Sequence, residues 1–282
     1  MRKFSTIIFA YASGLIRPNN LRSLSLRKLW AHLMKIAITG KGGSGKTTLA
    51  AGLSILFSQN KQVIAVDCDP DMNLGYALHF AHPEKITPIV EMKALIGERT
   101  EANLDGSTGY FKLNPRVDDI PEKFCPAQNN IRLIVMGKVN KAGGGCLCPE
   151  NTFIKSLLNH LVISRDEVVI LDMVAGTEHI GRGTANSVDA FLIVAEPTQL
   201  GVNTGLHIKS LAKDLGLEKI FFVGNKINSQ KDIDFLKKNL KENLIGNIFF
   251  NKNLQDLRGR FVFDEDLKKE FEGIYDRLKG RI

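Results

Sequence analysis

Several features are scarce or missing in this 282-residue sequence. It contains only four cysteines, at positions 68, 125, 146 and 148, which is too few for the disulfide framework of a secreted protein. No apolar run is long enough to cross a membrane, and there is no internal repeat or long low-complexity tract. These absences favour an ordinary globular protein in a reducing, cytoplasmic location, and they give no indication of a membrane partner.

Acidic residues are absent from the first 33 positions. This stretch holds six basic residues, so it supplies +6 of the formal net charge of +8 and leaves only +2 for the rest of the chain. A nearly neutral body does not predict a surface that binds nucleic acid. We expect residues 1–33 to be an extension that is disordered or lies upstream of the real start at Met34, and a signal or transit peptide is the alternative.

The most informative segment runs from Gly40 to Thr48 and reads Gly-Lys-Gly-Gly-Ser-Gly-Lys-Thr-Thr. It fits the phosphate-binding pattern of glycine, four residues and Gly-Lys-Thr, and it lies between a predicted strand and a predicted helix. In this pattern Lys46 reaches the β- and γ-phosphates and the Thr47 hydroxyl ligates Mg²⁺. The residues expected to contact the nucleotide here are Gly42, Gly43, Ser44, Gly45, Lys46, Thr47 and Thr48.

Runs that are almost entirely apolar alternate with helical patterns along the chain, and such runs are typical of strands covered on both faces. The predicted strands are 34–39, 62–67, 131–136, 167–172, 190–195, 219–224 and 245–250. The predicted helices are 46–59, 152–162, 201–215, 231–239 and 265–278. We therefore predict an α/β fold with a doubly wound, mainly parallel sheet of about seven strands and helices on both faces. Residues 34–282 would form one domain, with a loop-rich insertion at about 74–130 where prolines interrupt the pattern.

Polar residues follow several predicted strands, at the edge where such sheets bind ligands. Asp69 lies just after the second strand, and Asp172 ends an apolar strand. Gly176 follows Asp172 by four residues, in the place where a segment that senses the γ-phosphate would lie. The sequence Asp-Pro-Asp around Asp69 is also typical of a simple turn.

A second strong signal is the pair Cys146 and Cys148, which follows three glycines and precedes Pro149. Proline suits the first position of a helix, so both thiols would lie at a helix N-terminus, where the dipole favours the thiolate. Two sulfurs do not complete a metal site, but two such loops in a symmetric dimer would offer four thiolates to Zn²⁺ or Ni²⁺. Buried structural thiols or a redox pair are the alternatives, and we expect Cys68 and Cys125 to be structural.

With its second lysine, Lys41, the glycine-rich loop resembles that of the deviant P-loop ATPases, which include septum-placing and partitioning ATPases and the nitrogenase iron protein. The Cys-x-Cys-Pro-Glu-Asn segment and the run from Asp172 to Thr184 resemble the CooC-type accessory ATPases of carbon monoxide dehydrogenase. The resemblance covers the chain from Met34 to about its C-terminus. It implies ATP hydrolysis coupled to dimerisation, and a metal at the dimer interface that is delivered to a nickel enzyme such as carbon monoxide dehydrogenase.

The resemblance also implies roles for individual residues. Lys41 would cross the dimer interface to the partner's nucleotide, and Asp69 would position or activate the attacking water. Asp172 would hold Mg²⁺ through water, and Asn225 and Lys226 would read adenine. The alternative function is that of a positioning ATPase acting on a membrane or DNA, as in the septum-placing and partitioning relatives.

Overall fold

The structure is a computed structural model that describes residues 34–102, 110–138, 149–164, 167–176, 188–252, 254 and 261–281. All of these residues belong to the compact unit Met34–Ile282. The predictions for residues 1–33, Cys146 and Cys148 concern positions outside the described residues.

In the described residues, eight strands form one sheet in the order β3-β4-β2-β5-β1-β6-β7-β8, and only β3 runs antiparallel to its neighbour. The strands are β1 (Lys35–Gly40), β2 (Val63–Asp67), β3 (Ala127–Gln128), β4 (Ile131–Val135), β5 (Val168–Asp172), β6 (Ala190–Ala195), β7 (Ile220–Ile227) and β8 (Leu244–Phe249). Every residue of β1, β2, β5 and β6 is buried. Their apolar sequences are therefore explained by helices that cover both faces of the sheet.

Eight α-helices lie in the described ranges. They are α1 (Lys46–Ser58), α2 (Leu74–Ala77), α3 (Lys93–Thr100), α4 (Ile120–Phe124), α5 (Pro149–Ser164), α6 (Gln199–Asp214), α7 (Gln230–Leu240) and α8 (Glu265–Lys279). Short 3₁₀ turns occur at Pro83–Lys85, Ile89–Glu91 and Lys241–Asn243. No helix in these ranges is both long enough and apolar enough to pass through a membrane.

The core has two layers, one on each face of the sheet. Helices α1 and α8 contribute Leu53 and Phe271 to one layer, and α5 and α6 contribute Phe153 and Val202 to the other. Residues that alternate along a strand enter opposite layers, as Ile170 and Leu171 of β5 do. This arrangement confirms the predicted doubly wound, mainly parallel α/β sheet.

Two details of the sheet differ from the sequence prediction. The sheet has eight strands, because the two-residue strand β3 pairs with β4 at the edge. Strand β7 continues through Asn225 and Lys226 to Ile227, whereas the predicted strand ended at Gly224. Between residues 74 and 128 the described chain forms short helices and turns that connect to β3.

Candidate functional site

The glycine-rich loop, residues 40–48, joins the end of β1 to the start of α1. The Ser44 N–H donates to the Lys41 carbonyl (3.1 Å), and Gly43 and Gly45 have left-handed backbone with φ of 75° and 98°. Among the described residues no side chain caps α1, and the first turn of this helix carries no acidic residue. The unpaired N–H groups at this helix start therefore remain available to an anion.

Close packing explains two of the loop glycines. A Cβ at Gly40 would lie 2.5 Å from the Val194 carbonyl oxygen, and one at Gly45 would lie 2.0 Å from Asn225 Nδ2. Lys46 is buried, Lys41 and Thr47 are partly buried, and Gly42 and Gly43 are exposed. The loop thus presents exposed backbone at its tip and a buried lysine at its base.

Two carboxyl groups meet beside this loop. Strands β2 and β5 pair with Asp67 opposite Asp172, and both side chains are buried. Asp67 accepts hydrogen bonds from the N–H groups of Asp69 (3.1 Å) and Leu74 (2.9 Å). Burial nevertheless raises the pKa of Asp67 to about 6, against the effect of these two donors.

Asp172 has no such donors. Neither of its carboxyl oxygens has a hydrogen-bond partner in the described chain. Burial raises its pKa to about 7; the Thr47 hydroxyl and the Lys46 ammonium oppose that rise, and Asp67 adds to it. The Thr47 hydroxyl is thus close enough to act on the carboxyl electrostatically, although it does not complete a hydrogen bond of good geometry.

Asp69 lies two residues beyond Asp67 and is partly exposed. Its side chain accepts a hydrogen bond from the Asp71 N–H (3.1 Å), which forms the turn that the sequence also allowed. Between the two aspartates, Cys68 is buried, and burial raises the pKa of its thiol. Burial likewise raises the pKa of Cys125 to about 12, so neither cysteine offers a ready thiolate.

Asn225 and Lys226 contact the backbone of the glycine-rich loop. The buried Asn225 amide donates to the Ser44 carbonyl (2.7 Å), and the Lys226 ammonium donates to the Gly43 carbonyl (2.8 Å). Lys226 also forms an ion pair with Glu196, which directly follows β6. These contacts hold the loop from the side of β6 and β7.

The segment after β5 is held by Thr39, the residue before the loop. The fully buried Thr39 hydroxyl lies 2.9 Å from the Val174 carbonyl oxygen and 3.0 Å from that of Gly176. It also accepts the Gly176 N–H at 3.1 Å. The end of β1 and the segment that follows Asp172 are therefore directly connected.

The sequence of this chain matches the CobQ/CobB/MinD/ParA nucleotide binding domain over residues 35–260. It is also 43% identical, over 82% of its length and 90% of the relative's length, to the carbon monoxide dehydrogenase accessory protein CooC of Rhodospirillum rubrum. The chain is a CooC-type member of this family. It therefore carries a P-loop ATPase domain, and the glycine-rich loop is its P-loop.

Two further comparisons agree with this assignment. The CooC-type chain is 42% identical to an uncharacterised ATP-binding protein of Methanocaldococcus jannaschii, over 87% of this chain and 97% of that protein. Its fold is similar to that in the MinC:MinD cell division protein complex of Aquifex aeolicus, with a TM-score of 0.63, 20% identity, and coverage of 89% of this chain and 96% of that one. The sheet and its helices thus follow the fold of this family.

The described residues of this CooC-type ATPase suit a nucleotide with Mg²⁺. Buried polar atoms without a partner include Ser44 Oγ in the P-loop and both carboxyl oxygens of Asp172. A buried carboxyl without donors suits a cation, and a ring of N–H groups with Lys46 suits phosphates. Within the described residues, no group of three or more His, Cys, Asp or Glu side chains is placed to hold a metal ion.

Three residues of the site were not predicted from the sequence. In the sequence pattern, Asp67 is the end of a predicted strand, Glu196 is an acidic residue after a strand that would normally be solvated, and Thr39 is an ordinary strand residue. Their roles depend on partners that are distant along the chain, such as Asp172 for Asp67 and Lys226 for Glu196. Only the clustering of acids around Asp69 gave a sequence signal near one of them.

Proposed function

We propose that this chain is an ATP-dependent metallochaperone that binds Ni²⁺ or Zn²⁺ through Cys146 and Cys148 at a homodimer interface. It would assist nickel insertion into carbon monoxide dehydrogenase or a related nickel enzyme in the cytoplasm. The observation that carries this proposal is the 43% identity to a carbon monoxide dehydrogenase accessory protein over 90% of that protein's length. The Cys-x-Cys segment adds the chemistry that a nickel client requires.

In this proposal, ATP hydrolysis at the P-loop site provides the free energy for metal delivery. The P-loop N–H groups and Lys46 would hold the phosphates, and Thr47 and Asp172 would hold Mg²⁺, which when bound neutralises charge on the β- and γ-phosphates. Asp69 would orient the attacking water and accept its proton. Lys41 would reach the nucleotide of the partner subunit, in the manner of an arginine finger, so that hydrolysis requires the dimer.

The helix that begins directly after the cysteine segment has a contact with the insertion. Helix α5 begins at Pro149, the residue after Cys148, and Glu150 in its first turn pairs with Lys93 of α3 at 2.9 Å. An acidic residue in the first turn also suits the helix dipole. The start of α5 is therefore anchored to the insertion, and two copies of it would present four thiolates to one cargo ion.

Metal content per subunit tests the proposal. Reduced chain incubated with Zn²⁺ or Ni²⁺, and then desalted, should retain about one ion per two subunits, as four shared thiolates require. The variant Cys146→Ser/Cys148→Ser should retain almost none. Cys125→Ser is the matched control, because it removes a buried thiol of high pKa and should leave metal uptake unchanged.

Elemental analysis combined with sedimentation decides the outcome. One ion per subunit in a monomer, or equal uptake by the double variant, would contradict a site shared across the dimer. ATP hydrolysis without any metal uptake would leave the ATPase intact and remove the metallochaperone role.

The alternative of a positioning ATPase on a membrane or DNA has a structural argument against it. Such a protein needs an amphipathic tail or a basic patch, and α8 is the described amphipathic element near the C-terminus. Its apolar residues Leu267, Phe271, Ile274 and Leu278 are all buried against the sheet and α1. Co-sedimentation of the ATP-bound chain with liposomes or DNA would support the alternative of a positioning ATPase.

A further inference from the structure

The Thr39 hydroxyl is the centre of a small hydrogen-bond cluster next to the P-loop. It is fully buried and lies within 3.1 Å of the Gly176 N–H and within 3.0 Å of the carbonyl oxygens of Val174 and Gly176. A hydroxyl has one proton, so it donates to one of the two carbonyls and accepts from the Gly176 N–H. Both functions of the hydroxyl are therefore used, and the Gly176 N–H is occupied.

The conformation of Gly176 suits a second partner for the same N–H. Its φ is 118°, a region that L side chains rarely adopt, although an added Cβ would meet no atom of the described residues within 4 Å. The backbone conformation alone therefore favours glycine at this position. Gly176 lies four residues after Asp172, the proposed Mg²⁺ ligand.

We propose that the Thr39 hydroxyl is a latch that occupies the Gly176 N–H until the γ-phosphate of ATP takes that N–H over. The proposal rests on the nucleotide site described under the proposed function. Thr39 directly precedes Gly40, so the latch joins the strand that carries the P-loop to the segment that reads the third phosphate. ADP lacks that phosphate and leaves the latch closed.

Competition for one N–H has a measurable consequence. ATP binding breaks the bond between Thr39 and Gly176, and part of its binding free energy is used in doing so. ADP binding leaves this bond intact. Removing the hydroxyl should therefore strengthen the binding of an ATP analogue and leave the binding of ADP unchanged.

Calorimetric titration of the full chain with Mg²⁺ and either ADP or a non-hydrolysable ATP analogue tests the latch. Thr39→Val keeps the shape of the side chain but does not accept the N–H, and it should raise the ratio of analogue affinity to ADP affinity about three- to tenfold, the effect of one hydrogen bond. Thr39→Ser keeps the hydroxyl and should retain the wild-type ratio. Thr39→Ala is the second variant without a hydroxyl, and it should behave like Thr39→Val if the latter folds poorly.

The possible results separate the latch from the nucleotide site. A ratio that stays at the wild-type value in both variants without a hydroxyl overturns the latch while leaving the site intact. If both nucleotides bind more weakly by the same factor, Thr39 has a structural role only. If the ATP analogue alone binds more weakly, Thr39 holds Gly176 in the conformation that binds the analogue. Either result overturns the proposal. Absence of any nucleotide binding by the wild-type chain overturns the site itself.

Discussion

Lys226 has a backbone conformation that is uncommon for lysine, with φ of 59° near the end of β7. From this position its ammonium reaches both the Gly43 carbonyl and the Glu196 carboxylate. The resemblance to other deviant P-loop ATPases predicts that Asn225 and Lys226 read adenine, and this stays a prediction. The contacts in the structure favour a different contribution, which is to fix the shape of the P-loop.

Substitution of Lys226 separates these two roles. Lys226→Ala should weaken binding of ATP and of inorganic tripolyphosphate by the same factor, roughly tenfold, because a charge-assisted hydrogen bond to the P-loop is lost and tripolyphosphate has no base. Competition against a fluorescent nucleotide measures both affinities. Lys231→Ala, at an exposed position on α7, is the control. Weakened ATP binding beside unchanged tripolyphosphate binding would instead support base reading.

Individual site residues could be predicted from the sequence where they belong to a motif of fixed spacing. Lys46 and Thr47 were predicted to contact the phosphates and Mg²⁺ because the P-loop pattern fixes their spacing, and these roles stay predictions. Glu196 was missed because its partner, Lys226, is 30 positions away, and an acid after a strand is usually solvated. Thr39 was missed because its acceptors and donor belong to Val174 and Gly176, in the segment that follows β5 and is far away along the chain.

Among the helices, α1 and α8 approach each other closely at a glycine. A Cβ added at Gly52 of α1 would lie 2.2 Å from Phe271 Cε1 and 2.7 Å from Phe261 Cζ. Phe261 and Phe271 also pack edge to face, with ring centroids 5.3 Å apart. The missing side chain at Gly52 thus makes room for an aromatic pair that covers one face of the sheet.

A pair of glycine substitutions tests this packing. Gly52→Ala should lower the free energy of unfolding by about 1–3 kcal/mol, because two rings must move in a well-packed layer. Gly273→Ala in α8 is the matched control. No atom of the described residues lies within 4 Å of the added Cβ, so alanine should be neutral or stabilise by up to about 1 kcal/mol. Urea unfolding at an unchanged slope measures both changes. Equal midpoints for the two variants would contradict the close approach.

The elements themselves followed from periodicity in most cases. Strands β1, β2, β5 and β6 are buried along their whole length, so an unbroken apolar run was sufficient to predict them. Strand β3 has only Ala127 and Gln128, too short for any pattern, and depends on pairing with β4. The extension of β7 to Ile227 was missed because Asn225 and Lys226 are polar residues whose environment is set by the P-loop.

For the whole molecule, the central proposal is that Lys41 acts on the nucleotide of a second copy. Lys41 is partly buried at the start of the P-loop, and its own carbonyl accepts the Ser44 N–H. In this proposal, each active site combines Asp69 of the subunit that binds the nucleotide with Lys41 of the other subunit. Mixed dimers therefore distinguish the two residues.

Mixing two inactive variants provides that test. Lys41→Ala and Asp69→Asn should each lose ATP hydrolysis, yet an equal mixture should recover about a quarter of wild-type activity, because half of the dimers are mixed and each has one complete site. Steady-state phosphate release measures the recovery. Asp71→Asn, at an exposed position two residues from Asp69, should remain active alone. A mixture as inactive as its components would show that Lys41 acts within its own subunit.

The strand order has a consequence for how this protein is made. Within the described residues, strand β1 pairs only with β5 and β6, which come much later in the sequence, at Val168–Asp172 and Ala190–Ala195. Translation adds about 5–20 residues per second, and a growing polypeptide folds as its segments leave the ribosome. Strand β1, which is apolar and leads into the P-loop, therefore cannot pair with β5 and β6 until well over half of the polypeptide has been synthesised. Nucleotide binding can therefore assist the folding of this domain only after β5 and β6 have been synthesised.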